Sequence, residues 1–105
     1  MANYLITYFG GNPPSTPEEG EQHMARYKRW LADLGDAAVS PMNPLKHTQT
    51  LLPDGTTIEG SATGMSGYTL IAAESMEQAV AIARACPFLD VGGTLEVGEL
   101  IVMGR

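Results

Sequence analysis

Asn3-Tyr4-Leu5-Ile6-Thr7-Tyr8-Phe9 and, later in the chain, Gly67-Tyr68-Thr69-Leu70-Ile71-Ala72-Ala73 are the stretches whose reading decides the fold. Both are dense in aromatic and β-branched residues, which suit a pleated surface, and both read as strands. A helix start follows each. After the first strand, Gly10-Gly11-Asn12-Pro13-Pro14 breaks the chain and Thr16-Pro17-Glu18-Glu19 opens a helix. Thr16 suits the cap, Pro17 the first helical position, and Glu19 completes a capping box. Gly20, Met24, Tyr27, Leu31 and Leu34 then recur at helical spacing and predict its buried stripe, with Gly35 as the stop. After the later strand, Ser75-Met76-Glu77-Gln78 repeats the capping pattern. Ala79, Ile82, Ala83 and Cys86 make the inner stripe of that second helix, and Pro87 marks its end.

The segments between these units fill in the order. Asp36 to Ser40 reads as a short strand that Pro41-Met42-Asn43-Pro44 breaks. His47 to Leu52 and Thr56 to Glu59 flank Pro53-Asp54-Gly55, a proline–glycine turn, and predict a hairpin. Ser61 to Ser66 is a small polar loop. Gly92-Gly93 leads into a last strand, Thr94 to Met103, with Gly98 expected as a bulge. Strand, helix, strand, inserted hairpin, strand, helix, strand is the ferredoxin-like βαββαβ pattern of an α+β domain.

The first and third core strands are apolar on both faces. Tyr4, Ile6 and Tyr8 alternate with Leu5, Thr7 and Phe9, and Tyr68, Leu70 and Ala72 alternate with Thr69, Ile71 and Ala73. Two helices cover only one face of a four-stranded sheet. The other would be an exposed apolar patch, which soluble monomers rarely carry. A homodimer through the open sheet faces resolves this and is the expected arrangement; the alternative is that the hairpin or the C-terminus folds over the open face.

Composition sets the outer bounds. The chain has 105 residues, 44% hydrophobic and 17% charged, which suits one globular domain over 1–105. Twelve acidic against six basic residues give a formal charge of −6. That balance disfavours nucleic acid and anionic membranes, whose binding needs Lys and Arg. No apolar run approaches the length of a bilayer span, and Met1-Ala2-Asn3-Tyr4 does not begin a secretory signal, so a cytoplasmic location is expected. Cys86 is the only cysteine, which excludes an intrachain disulfide and fits a reducing compartment.

Few residues are candidates for chemistry. His23 stands in the second turn of the first helix, one position off the expected stripe. It is suited either to general-base work near neutral pH or to a plain hydrogen bond at the helix–sheet edge. His47 opens a strand in a breaker-rich stretch and is expected at an edge. The two histidines have no metal-ligand spacing, and no nucleophile elbow, phosphate loop or dinucleotide fingerprint is present, so neither metal nor cofactor is expected. Cys86, on an alanine-rich inner face, reads as a small apolar residue. Trp30 flanks the stripe and is expected to pack. A cleft is expected where the first helix begins beside the first strand and the Asn43-Pro44 turn. Tyr4, Tyr8, Asn43, Ser66 and Tyr68 are its candidate ligand-contacting residues, and His23 is its candidate catalytic residue.

An ordered set of motifs resembles the YCII-related family of small bacterial proteins, including its DGPF-like branch. These are Gln22-His23-Met24-Ala25-Arg26-Tyr27 on the first helix, Asn43-Pro44, Ser66-Gly67-Tyr68-Thr69-Leu70-Ile71, Glu74-Ser75-Met76-Glu77-Gln78-Ala79, Ala85-Cys86-Pro87 and Gly93-Thr94-Leu95-Glu96-Val97. The resemblance implies a YCII-like single domain paired into a dimeric α+β barrel. It also implies a cleft in which a first-helix histidine, here His23, works with an aspartate near the end of the first strand. That aspartate has no counterpart, since the strand ends Tyr8-Phe9-Gly10-Gly11, and Asp-Gly-Pro-Phe is replaced by Glu59-Gly60-Ser61-Ala62. The expected function is therefore a non-catalytic small-molecule-binding or accessory module. The alternative is a lyase or dehydrochlorinase-like enzyme with His23 as general base.

Overall fold

The structure is a computed structural model and describes residues 1–103. Its elements run β1 (Ala2–Gly10), α1 (Pro17–Leu34), β2 (Ala38–Pro44), β3 (Gln49–Leu51), β4 (Thr57–Glu59), β5 (Met65–Ala73), α2 (Met76–Arg84) and β6 (Gly93–Glu99). Short 3₁₀ turns at Gly35–Ala37 and Pro87–Val91 follow the two helices. The main sheet is antiparallel with strand order β2-β5-β1-β6, the ferredoxin-like arrangement expected from the element order. β3 and β4 pair separately as the predicted hairpin.

Burial along β1 and β5 alternates with the pleat. Tyr4, Ile6 and Tyr8 of β1 and Thr69, Ile71 and Ala73 of β5 are buried. They join Trp30 and Leu31 of α1 and Ala79 and Ala83 of α2 in one core. Both helices therefore cover the same sheet face. Ile6 and Ile71 lose all their exposure, each worth about 1.5–3 kcal/mol of transfer free energy. The alternate residues Leu5, Phe9, Leu70 and Ala72 remain half-buried on the other face. The main-chain envelope is 47 × 43 × 18 Å, and its radius of gyration of 15.2 Å exceeds the ~13 Å usual for this length. Apolar side chains stand out along its periphery: Leu51 is 69% and Ile58 52% exposed on the hairpin, and Ile101 82% and Val102 87% beyond β6.

The caps form as the sequence predicts. Thr16 Oγ1 accepts the Glu19 amide at 3.1 Å, and Ser75 Oγ accepts the Gln78 amide at 3.2 Å. The Glu19 carboxylate reaches one residue further back than a capping box requires, accepting the Ser15 amide at 2.8 Å.

Five expectations are corrected. Pro41 to Pro44 does not break β2 but belongs to it. β2 is an edge strand, where prolines sacrifice no ladder bond on the solvent side, and its register shifts between Ser40 and Asn43. Gly98 sits in regular register opposite Leu5, so it is no bulge, and β6 ends at Glu99 rather than Met103. The stripe of α1 runs through His23, Tyr27, Trp30 and Leu34, while Met24 is exposed. His23 is thus on the stripe and Met24 off it. The hairpin strands are shorter than predicted and begin at Gln49, leaving His47 exposed before them.

The hairpin turn yields a pH prediction. The Asp54 carboxylate accepts the Thr56 hydroxyl at 2.7 Å and the Thr56 amide at 3.0 Å, and these bonds hold its pKa below the ordinary value of 3.8. A lowered folded pKa means that this stabilisation is present above the unfolded pKa and is lost as pH falls through the folded one. The Thr56 amide proton resonance is expected to titrate with a midpoint under 3.8. An Asp54→Asn variant should show no such step.

Candidate functional site

The interior end of β1 and the second turn of α1 meet over a cavity of about 220 Å³. Tyr8, His23, Tyr27, Asn43, Ser66 and Tyr68 all line it, with Phe88 and Met24 closing its sides. β1 and β5 supply the floor. The irregular edge strand β2 supplies one wall, because its register shift carries Pro41 and Met42 out of the ladder. His23 and Tyr27 are one helical turn apart and so share a face of α1. A wider depression lies on the other side of His23, Met24 and Phe88, bounded by Gly10, Gly11, Pro14 and Arg26.

Beneath the cavity the hydroxyls are joined. Tyr8 Oη lies 2.7 Å from Thr69 Oγ1 and 2.8 Å from Tyr27 Oη, and the Thr69 hydroxyl donates to the Pro41 carbonyl at 2.7 Å. Burial pushes the Tyr8 phenol far above the usual tyrosine range, so it stays neutral. The Phe88 ring stands edge-on to Tyr8 with centroids 5.2 Å apart. Its own edges are clasped by glycines. A Cβ on Gly11 would lie 2.8 Å from the ring, and one on Gly93 would overlap it outright. The glycine pairs that read as turns therefore also make room for an aromatic ring.

His23 is half-buried, and its Nδ1 is buried with no hydrogen-bond partner. An unpaired buried polar atom is uncommon in a folded protein. No carboxylate lines this cavity. Glu19, on the wider depression, has one carboxylate oxygen on the Ser15 amide. Asn43 borders the cavity, but its amide donates to the Ser40 carbonyl at 3.1 Å and the Tyr68 carbonyl at 3.2 Å. Those bonds brace the irregular part of β2. Ser66 Oγ donates to the Tyr8 carbonyl at 3.4 Å.

Tyr4, expected at the cleft, is elsewhere. It is buried in the core and paired with Ile71 and Glu99 toward the opposite end of β1, two strand steps from Tyr8 for each of which the chain advances away from the cavity. His47 is exposed and does not line the cavity. Cys86 is buried, which raises its thiol pKa and leaves it a packing residue. Among the described residues no group of three or more His, Cys, Asp or Glu is placed to hold a metal ion.

Thr69, Tyr27 and Phe88 were not singled out by the sequence as site residues. Thr69 carried a usable signal, since it is the one polar residue on the face shared by Ile71 and Ala73, and a buried hydroxyl needs a partner. Phe88 carried none, because its place depends on Gly93 at the start of β6 together with Gly11 from a segment far away in the chain.

The fold and cavity define a class: an α+β protein with two helices on one face of a four-stranded antiparallel sheet and a small apolar cavity at the sheet edge. Among solved structures it is similar to 5-chloro-2-hydroxyhydroquinone dehydrochlorinase from Burkholderia phenoliruptrix AC1100, in complex with 2,5-dihydroxybenzoquinone. The two are 18% identical, with a TM-score of 0.51 over 94% of this chain and 93% of that one. At this identity the likeness shows the fold. No family model matches the chain, and no curated protein does. Among the described residues no helix is long and apolar enough to cross a membrane.

Proposed function

We propose that this is a YCII-like cytoplasmic homodimer that binds a small molecule in the cavity beside His23, as a non-catalytic binding or accessory module. The observation that carries the reading is the apolar cavity that His23 lines together with Tyr8, Tyr27 and Phe88. Those rings supply apolar contact to a small molecule, and the polar edge of the site fixes its orientation. A histidine that acts as a base is usually oriented by a second group on its other nitrogen. The missing first-strand aspartate and the carboxylate-free cavity lining favour binding over catalysis. The dimer is supported by the half-buried apolar residues Leu5, Phe9 and Leu70 on the face opposite the helices.

A second reading makes His23 the general base of a lyase or dehydrochlorinase-like reaction. It is favoured by the presence of that activity, in name, on the solved structure that shares the fold.

Two measurements test the proposal. Sedimentation at micromolar concentration should give twice the chain mass of 11.2 kDa; a stable monomer removes the dimer. A fragment screen by NMR should find small apolar rings that shift the His23 and Tyr27 resonances. His23→Ala should fold almost normally, since the ring is half-buried, and lose that binding. Retained affinity in this variant would return His23 to a packing role.

A further inference from the structure

The hydroxyls beneath the cavity form a chain with a direction. The Pro41 carbonyl can only accept, so the Thr69 hydroxyl gives it its single proton. Thr69 Oγ1 then faces Tyr8 with lone pairs alone, and the Tyr8 hydroxyl donates to it across 2.7 Å. Tyr8 Oη in turn has only lone pairs for Tyr27, which lies 2.8 Å away; Tyr27 also stands 3.3 Å from Thr69. Whichever of these oxygens Tyr27 chooses, its proton points inward. All three protons run toward Pro41. What Tyr27 keeps for the cavity is acceptor capacity. No lysine or arginine lines the cavity to hold an anion.

We propose that the Tyr27–Tyr8–Thr69–Pro41 chain makes this cavity selective for a neutral apolar ligand that donates a hydrogen bond from a hydroxyl or N–H. Isosteric ligands that only accept, and carboxylates, are disfavoured. The inference rests on the cavity being a small-molecule site and adds the chemical class of its occupant. Thr69 is the positioning residue. It is fully buried and acts on the ligand through the proton it sends to Pro41. Remove its hydroxyl and Tyr8 has no acceptor at that position. The Tyr8 proton then turns to Tyr27 Oη, and the Tyr27 proton is freed to point into the cavity.

The test uses p-cresol, p-methylanisole and p-toluate, titrated against the full chain and followed at the Trp30 indole N–H, whose ring lies 5.7 Å from that of Tyr27. The wild type should bind p-cresol about tenfold more tightly than p-methylanisole, one hydrogen bond's worth, and p-toluate least. Thr69→Val should bring the cresol-to-anisole ratio to about one or invert it, while Thr69→Ser keeps the wild-type ratio. If Thr69→Val fails to fold, Tyr27→Phe serves instead: p-cresol should lose about tenfold and p-methylanisole should be unaffected. Equal wild-type affinities for the two neutral probes overturn the selectivity while leaving the cavity a binding site. So does a ratio that survives Thr69→Val, or undiminished p-cresol binding to Tyr27→Phe. No binding by any of the three overturns the binding reading and the selectivity together.

Discussion

Gly93→Ala is expected to destabilise the fold by about 1–3 kcal/mol, the usual cost of overpacking, and to close the cavity beside His23. The backbone at Gly93 needs no left-handed conformation, so the effect is purely one of space. A methyl group there overlaps the Phe88 ring. On its other side the ring already lies against Gly11, so close that a Cβ built there would stand 2.8 Å from it, which leaves little room for retreat. It is also held edge-on by Tyr8. The direction left is the cavity that Phe88 already borders. Urea denaturation should show a lower midpoint with an unchanged slope, and probes of the cavity should lose affinity at the same time. Phe88→Leu in the same chain should restore part of both. A double-mutant cycle with no coupling between positions 88 and 93 would disprove the clasp.

Trp30→Ala is expected to cost more, about 3–5 kcal/mol, which is a large share of the 5–15 kcal/mol that holds a domain of this size. Trp30 is the only tryptophan and is buried between the two helices. Its indole nitrogen donates to the Ile82 carbonyl at 3.0 Å. Ile82 lies in the last turn of α2 and its carbonyl also accepts the Ala85 amide at 3.2 Å, so the indole takes the second lone pair of that carbonyl and one side chain both fills the core and ties α1 to α2. Trp30→Phe separates the two contributions. It keeps most of the packing and should lose about 1 kcal/mol for the hydrogen bond. Comparable losses in the two variants would mean that packing contributes little.

The order of elements, both helix caps, the hairpin turn and the two-faced strands were legible in the sequence because each rests on neighbours within a few residues. Thr16 and Glu19 are three apart, as are Ser75 and Gln78, and the pleat repeats every second residue. The position of His23 beside Tyr8 and Asn43 was also within reach, since the first helix starts where the first strand ends and the second strand lies at the edge of the same sheet. Periodicity failed where one residue decided it. Choosing Met24 rather than His23 for the stripe was a one-position error, and hydrophobicity favoured the wrong one. Only tertiary packing left Tyr27 and His23 half-buried and Met24 exposed at the side of the cavity.

What the sequence by itself determined is the α+β class, the order of the elements with both helix starts, and the presence of a second apolar sheet face, all consequences of local spacing. Only the tertiary structure decided that Pro41 and Pro44 belong to an edge strand, that Tyr4 is core rather than cleft, and that Phe88 lies between Gly11 and Gly93. It also decided the direction of the hydroxyl chain. Thr69 and Pro41 are 28 residues apart and Tyr8 and Thr69 are 61 apart. The proton of each hydroxyl is assigned by an acceptor that chain spacing does not reveal, because hydrogen bonds over such separations exist only once the sheet has brought its strands together.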